Sequence, residues 1–261
     1  MIHLLFACAL LLPAPVQDEK KTDEADVLDP KVVAAAVEDL EQAFKKGEAA
    51  DRIAAIERQS KVVDGGVVDW IAKGLKDKDE KVKAAAIEAL RWMRHPHSLD
   101  ALHTAYKKQK DLAKNAELYA ALIRAFAQHG DVRSIDLLRD NPLNKVDVRV
   151  ARARIYGLGM IRSADSVEAL MGLMHVAGRW KIQSVMKDFR VSLMVLTGAD
   201  QGLSQDAWTS WWNNNKKTFE VPREQPELPR QVQNGWNRYW GLEVERERPE
   251  KRRERGGGDD L

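Results

Sequence analysis

DEKVKAAAIEAL at residues 79–90 and DVRVARARIYGLGMIRSADSVEAL at 147–170 decide the fold. In both, apolar side chains return every three or four places, the spacing that gathers them on one face of a helix. Aligning the two passages makes a repeat visible. Val82-Lys83-x-x-Ala86-x-x-Ala89-Leu90 is answered by Leu118 to Phe126 and then by Val148-Arg149 running to Gly157. In that alignment Arg152 takes the place of Ala86 and Tyr156 that of Leu90, and Leu90, Phe126 and Tyr156 lie 36 and 30 residues apart. A helix ending near Leu193 to Leu196 continues the series. A period in this range with two helices per unit predicts a solenoid, because one helical pair cannot bury its apolar face alone and must stack on a neighbour.

The same periodicity extends in both directions, in segments of about 10 to 18 residues separated by short polar breaks. Pro30 suits a first helical position behind Asp29, and Val33, Ala36, Val37, Leu40 and Phe44 then form one stripe ending at Gly47. Ile53, Ile56 and Val62 follow, and Asp64-Gly65-Gly66 makes a turn. Breaks at His95-Pro96 and at His129-Gly130-Asp131 enclose the pair opened by Leu99, Leu102 and Tyr106. Nothing strand-like intervenes. Of 261 residues 44% are hydrophobic, while Gly numbers only 16 and Pro 9, a bias that favours helix over sheet. The expected fold is all-α: a solenoid of about five stacked antiparallel helix pairs over 30–217, closed by a Trp-rich C-terminal capping helix.

The two quoted passages resemble the HEAT-repeat family, especially the bacterial repeats of the phycobilisome-lyase type. The resemblance covers residues 66–197, with 30–62 joined to it by periodicity alone. Leu196-Thr197-Gly198-x-Asp200-x-Gly202, followed by Trp208-x-x-Trp211-Trp212, is similar to the closing segment of exported bacterial HEAT-repeat proteins. The resemblance implies a stack of repeats with second helices on its concave wall, and it implies no chromophore chemistry here.

The termini read differently. Residues 4–12, LLFACALLL, are an apolar run stopped by Pro13. That is too short to span a membrane, which takes about 20 apolar residues, and fits the core of a secretory signal. We therefore expect a signal peptide over 1–17, an acidic leader over 18–29 and a periplasmic or secreted product, although no Lys or Arg precedes the run. Cys8, the one cysteine, falls within that signal, so the mature chain would hold no disulfide, thiol nucleophile or cysteine metal site. Leu5-Phe6-Ala7-Cys8 resembles a bacterial lipobox, but Phe6 and the shortness of the preceding run argue against lipidation. Beyond Phe219, Pro222, Pro226 and Pro229 argue against a regular helix around them and mark a Pro- and Trp-containing strap over 218–242, in which Trp236, Tyr239 and Trp240 are expected to fold back onto the solenoid as a short helix or a strap. EVERERPEKRRERGGGDDL (243–261) has no apolar face to bury and reads as a disordered tail.

Few residues suggest chemistry. The histidines His95, His97 and His103 straddle a helix break without a cysteine or repeated acid, and the expectation is no metal. HEAT-like deoxyhypusine hydroxylases hold iron through His-Glu dipeptides, and none of the six histidines here precedes a Glu. No phosphate-binding loop, nucleophile elbow or paired carboxylates appear, so neither catalysis nor a cofactor is expected. Forty-two Lys plus Arg against 40 Asp plus Glu is too balanced for a dedicated nucleic-acid binder, and the cluster Lys107, Lys108, Lys110, Lys114 reads as a solvated helix end. The best binding stripe is Arg149, Arg152 and Tyr156, one helix face placed on the concave wall, where guanidinium and phenol suit a protein or peptide partner. The alternative is a cell-envelope polysaccharide stacking on exposed Trp208, Trp211, Trp236 and Trp240. The expected function is a non-enzymatic exported scaffold.

Overall fold

The computed structural model describes residues 28–140, 143, 147–180 and 182–244; the expected signal peptide, the leader up to residue 27 and the tail from residue 245 lie outside the described residues. Among the described residues the regular structure is helical, without a strand. Five pairs follow one another: Pro30–Lys46 (α1) with Ala49–Gln59 (α2), Gly65–Lys73 (α3) with Glu80–Trp92 (α4), Pro96–Lys108 (α5) with Ala116–Gln128 (α6), Ile135–Arg139 (α7) with Val148–Met160 (α8), and Ala164–Arg179 (α9) with Met186–Thr197 (α10). Gln205–Asn215 (α11) and Arg230–Trp240 (α12) are the last two helices of the described residues. The second helices α2, α4, α6, α8 and α10 pack on one another in an unbroken row, whereas in the row of first helices α5 and α7 scarcely meet. The more tightly packed row is the inner arc, so the second helices line the concave wall.

Side-chain caps set the register of that row. Asp79, Asn115 and Asp147 accept hydrogen bonds from the backbone N–H of Lys81 (2.7 Å), Glu117 (3.0 Å) and Arg149 (2.8 Å) at the starts of α4, α6 and α8. Counted from these caps, Val82, Leu118 and Val150 are equivalent, as are Ala86, Leu122 and Arg154, and Leu90, Phe126 and Leu158; all nine are buried. The alignment of Val148-Arg149 with Val82-Lys83 is therefore two residues out of register. Val148 is exposed, and the place of Ala86 belongs to Arg154, not Arg152; that of Leu90 belongs to Leu158, not Tyr156. Arg154 is wholly buried, yet its guanidinium donates to the Tyr106 hydroxyl (3.0 Å), which donates to the Leu137 carbonyl (3.0 Å). The chain of bonds joins α8, α5 and α7 where the outer row is thinnest.

The first helix of the fourth pair is shorter than the 10 to 18 residues expected: α7 has five. Asn141-Pro142 follows it in the sequence, and the proline ring excludes a continuing helix while removing a backbone donor. At the C-terminal end, α10 stops at Gly198 (φ +71°) and Ser204 caps α11 through the Ala207 N–H (3.2 Å). Trp208 and Trp212 are buried as α11 packs against α9, and the Trp208 indole donates to the Gly202 carbonyl (3.0 Å). This is the cap that an open solenoid end needs.

His103 on α5 is buried, 2.9 Å from the Ser134 hydroxyl and edge-on to Phe126. Burial, helped by the charges of Arg133 and Lys107, lowers its pKa to about 4, and burial lowers that of His129 as well. A neutral native imidazole whose unfolded form takes up a proton near pH 6.5 stabilises the fold above that pH and ceases to do so as the pH falls toward 4. Unfolding followed by circular dichroism should therefore lose on the order of 3 kcal/mol of stability between pH 7 and pH 4 from this residue. His103→Gln should flatten most of that slope. Asp147 and Asp200, both held near 2 by arginine partners, act only at lower pH.

Candidate functional site: the inner face and the helix that crosses it

The concave wall is already occupied. Residues 220–229 run without regular structure from the cap, and the Arg162 guanidinium holds them by donating to the carbonyls of Pro222 (2.7 Å) and Glu224 (2.9 Å). Helix α12 then lies against α4, α6 and α8. Its Val232, Trp236, Tyr239 and Trp240 fall at i, i+4, i+7 and i+8, one stripe of an amphipathic helix, and Trp236 and Trp240 are 2% and 0% exposed. Trp236 stacks on Tyr156 at 5.4 Å between ring centres, and Tyr239 tilts over the same ring at 4.1 Å. The Arg124 guanidinium stands 5.8 Å from the centre of the Tyr239 ring.

The end of α12 is fixed by a glycine and an arginine. Gly241 takes φ +70°, its N–H reaches the Arg238 and Asn237 carbonyls, and the Leu242 N–H bonds the Asn237 carbonyl at 2.8 Å. Buried Arg91 of α4 donates to the Trp240 carbonyl, to Gln128 of α6 and to Glu88. A cation at a helix C-terminus complements the dipole there, so Arg91 is a socket for the end of α12. Burial draws the Arg91 pKa down, against the pull of Glu88.

Beside α12 the wall opens into a pocket of about 340 Å³. Ala120 and Ala121 form part of its lining, Arg124, Arg149 and Arg152 surround it, and Tyr239 and Glu117 close it. The space exists because α6 carries Ala120 where α8 carries Arg152, each the fifth residue after its cap. By the same count Glu88, Arg124 and Tyr156 are equivalent positions on three successive helices, and α12 contacts two of them directly.

A family profile for HEAT repeats matches residues 29–118, about a third of the chain, from α1 to the start of α6. Residues 29–118 are thus similar to HEAT repeats. The match takes in residues 30–62, where periodicity alone carried the assignment. No curated protein matches the chain. Among the described residues no helix is long and apolar enough to cross a membrane, and no cluster of three or more His, Cys, Asp or Glu could hold a metal ion.

The three residues expected to meet a partner are all on the inner wall of this solenoid, but in different states. Tyr156 is 9% exposed beneath Trp236 and Tyr239, and burial pushes its phenol up to about 12. Arg152 is half-exposed and pairs with buried Asp188 of α10 at 3.1 Å. Arg149 is exposed and bonds Asp147 at 3.0 Å, with Glu117 4.0 Å away. The proposed sugar platform is not formed: Trp208, Trp236 and Trp240 are buried, and half-buried Trp211 lies among Trp208, Trp212 and Phe219. These indoles complete an apolar cover, which leaves no open ring face shared by the four. Arg91 and Arg124 are not legible in the sequence: with α8 two residues out of register Arg124 does not line up with Tyr156, and the role of Arg91 depends on where α12 docks.

Burial raises the Asp188 pKa even with Arg152 beside it, so the carboxylate depends on that guanidinium. Arg152→Ala should cost about 2 kcal/mol in urea unfolding, less than a fully buried pair because Arg152 is half-exposed. Asp188→Asn in the same background should restore most of the loss. A neutral Arg152→Ala would show that solvent, not Arg152, carries the Asp188 charge.

Proposed function

We propose that this chain is a non-enzymatic, exported scaffold whose concave face receives an amphipathic helix of a partner protein. One observation carries the reading: the solenoid already binds such a helix, its own α12, through Trp236, Tyr239 and Trp240. An apolar stripe at i, i+4, i+7 and i+8 set in a groove is a general mode of helix recognition, and a curved wall of stacked repeats suits it. The ring contacts of α12 are made by side chains and Arg91 is a backbone socket for its end, so a helix with the same stripe meets the same surface. Tyr156 supplies the ring floor, and Arg91 takes the carbonyl end. The balanced net charge of +2 favours a protein over nucleic acid as partner. The apolar run at 4–12 supports export, with residues 1–17 removed and function in the periplasm or outside the cell.

The test uses the full chain and a fluorescein-labelled peptide of residues 228–244. In Trp236→Ala/Trp240→Ala, whose own α12 has lost its anchors, the peptide should bind saturably by fluorescence anisotropy. The wild-type chain, with its groove filled, should bind at least tenfold more weakly. If the double variant keeps wild-type helicity and takes no peptide, the groove is not a helix receptor and α12 is only a cover.

A further inference from the structure

We propose that the pocket between α6, α8 and α12 is a carboxylate site, built to take an Asp or Glu side chain of the protein that docks on the inner face. The inference rests on the scaffold reading for the identity of the partner, but the pocket itself stands on independent observations. Its walls carry three arginines and one acid, Glu117. Two of the three arginines already show what they bind, since Arg152 holds the Asp188 carboxylate at 3.1 Å and Arg149 that of Asp147 at 3.0 Å.

Arg124 is the exception. Among the described residues no carboxylate pairs with it, and its Nε is sealed from solvent without a hydrogen-bond partner. Its guanidinium faces the ring of Tyr239, and the positive charge of Arg91 lies near enough to raise the local potential. A half-buried guanidinium beside a second arginine, with no anion, is an electrostatic deficit that an arriving oxyanion relieves. The planar fork matches a carboxylate through two parallel N–H···O bonds, and Tyr239 gives the pocket a flat wall. Glu117 on the rim penalises a dianion such as phosphate more than a single carboxylate. The alanines at 120 and 121 leave about 340 Å³, room for an acidic side chain but not for a folded domain.

The site is tested on the full chain with two probes, the dipeptide N-acetyl-Glu-Glu-amide and inorganic phosphate. Binding is followed by NMR on the arginine Nε–H signals, with the Arg124 signal assigned by its loss in Arg124→Gln. The dipeptide is expected to shift the signals of Arg149 and Arg152 saturably in the wild type, with a Kd at least tenfold weaker in Arg124→Gln and unchanged in the surface control Lys107→Gln. Shifts that do not saturate, or that are equal in Arg124→Gln, would overturn the site. Phosphate binding more tightly than the dipeptide would overturn its assignment to carboxylates. The dipeptide is too short to replace α12, so it reports on the pocket alone, whereas the labelled 228–244 peptide reports on the groove. Failure of one leaves the other standing.

Discussion

Everything in this molecule depends on how closely the second helices approach along the inner row, and α8 is the tightest link. A Cβ on Gly159 would stand 2.8 Å from Cβ and 3.0 Å from Cα of Ser192 in α10, and one on Gly157 would stand 2.9 Å from Cβ of Ala127 in α6. Glycine at these two places lets α8 lie against both neighbours without a side chain between, and no larger residue permits that separation. The approach has electrostatic consequences. It brings Arg152 to Asp188 across the α8–α10 seam and drives Arg154 into the core, where Tyr106 receives it. The ionic and polar features of the fourth and fifth pairs follow from a packing distance.

A concave wall of this kind carries its own difficulty. Side chains on second helices that point away from the first row face a groove, and where they are aromatic, as Tyr156 is, they need a cover. Helix α12 supplies it. Its apolar stripe meets Tyr156, its carbonyl end meets Arg91, and Arg162 holds the connecting segment at the rim. The two aromatic groups of the C-terminal region thus have different tasks: Trp208 and Trp212 of α11 close the end of the stack, while Trp236 and Trp240 of α12 close its inner face. The first is demanded by any finite solenoid. The second answers the aromatic floor that Tyr156 makes.

The division between what could and could not be read from the sequence follows from the range of the interactions. Helix periodicity is local, so the stacked pairs and the Trp-rich capping helix were legible. Register between repeats was not settled by the Val-basic dipeptide, since Val82-Lys83 and Val148-Arg149 look alike although only Val82 is buried. The caps Asp79, Asn115 and Asp147 hold the true register, and they are recognisable as short polar residues before each stripe. The aromatic residues Trp236, Tyr239 and Trp240 were equally visible as a segment folding back onto the solenoid, while three prolines just upstream left helix and strap as equal readings. They end at Pro229, immediately before α12 begins. Where α12 would dock is a long-range fact, since Arg91 and Trp240 are 149 residues apart.

This geometry also changes how the basic residues of the inner face are to be weighed. An arginine on a concave wall is attractive as a partner contact only if its charge is not already used. Arg152 supports a buried carboxylate, Arg154 is a core residue, Arg91 ends a helix, and Arg149 is held by the acid that caps its own helix. Each of these has a structural reason to be basic that requires no ligand. Arg124 has none of these reasons: its equivalents on the neighbouring helices are Glu88 and Tyr156, so the repeat does not demand a cation there, and no acid of the described chain answers it. A half-buried guanidinium that meets the face of Tyr239 but no carboxylate of the described residues is less fully compensated than its paired neighbours, which is the physical ground for looking outside the chain for the group that completes it.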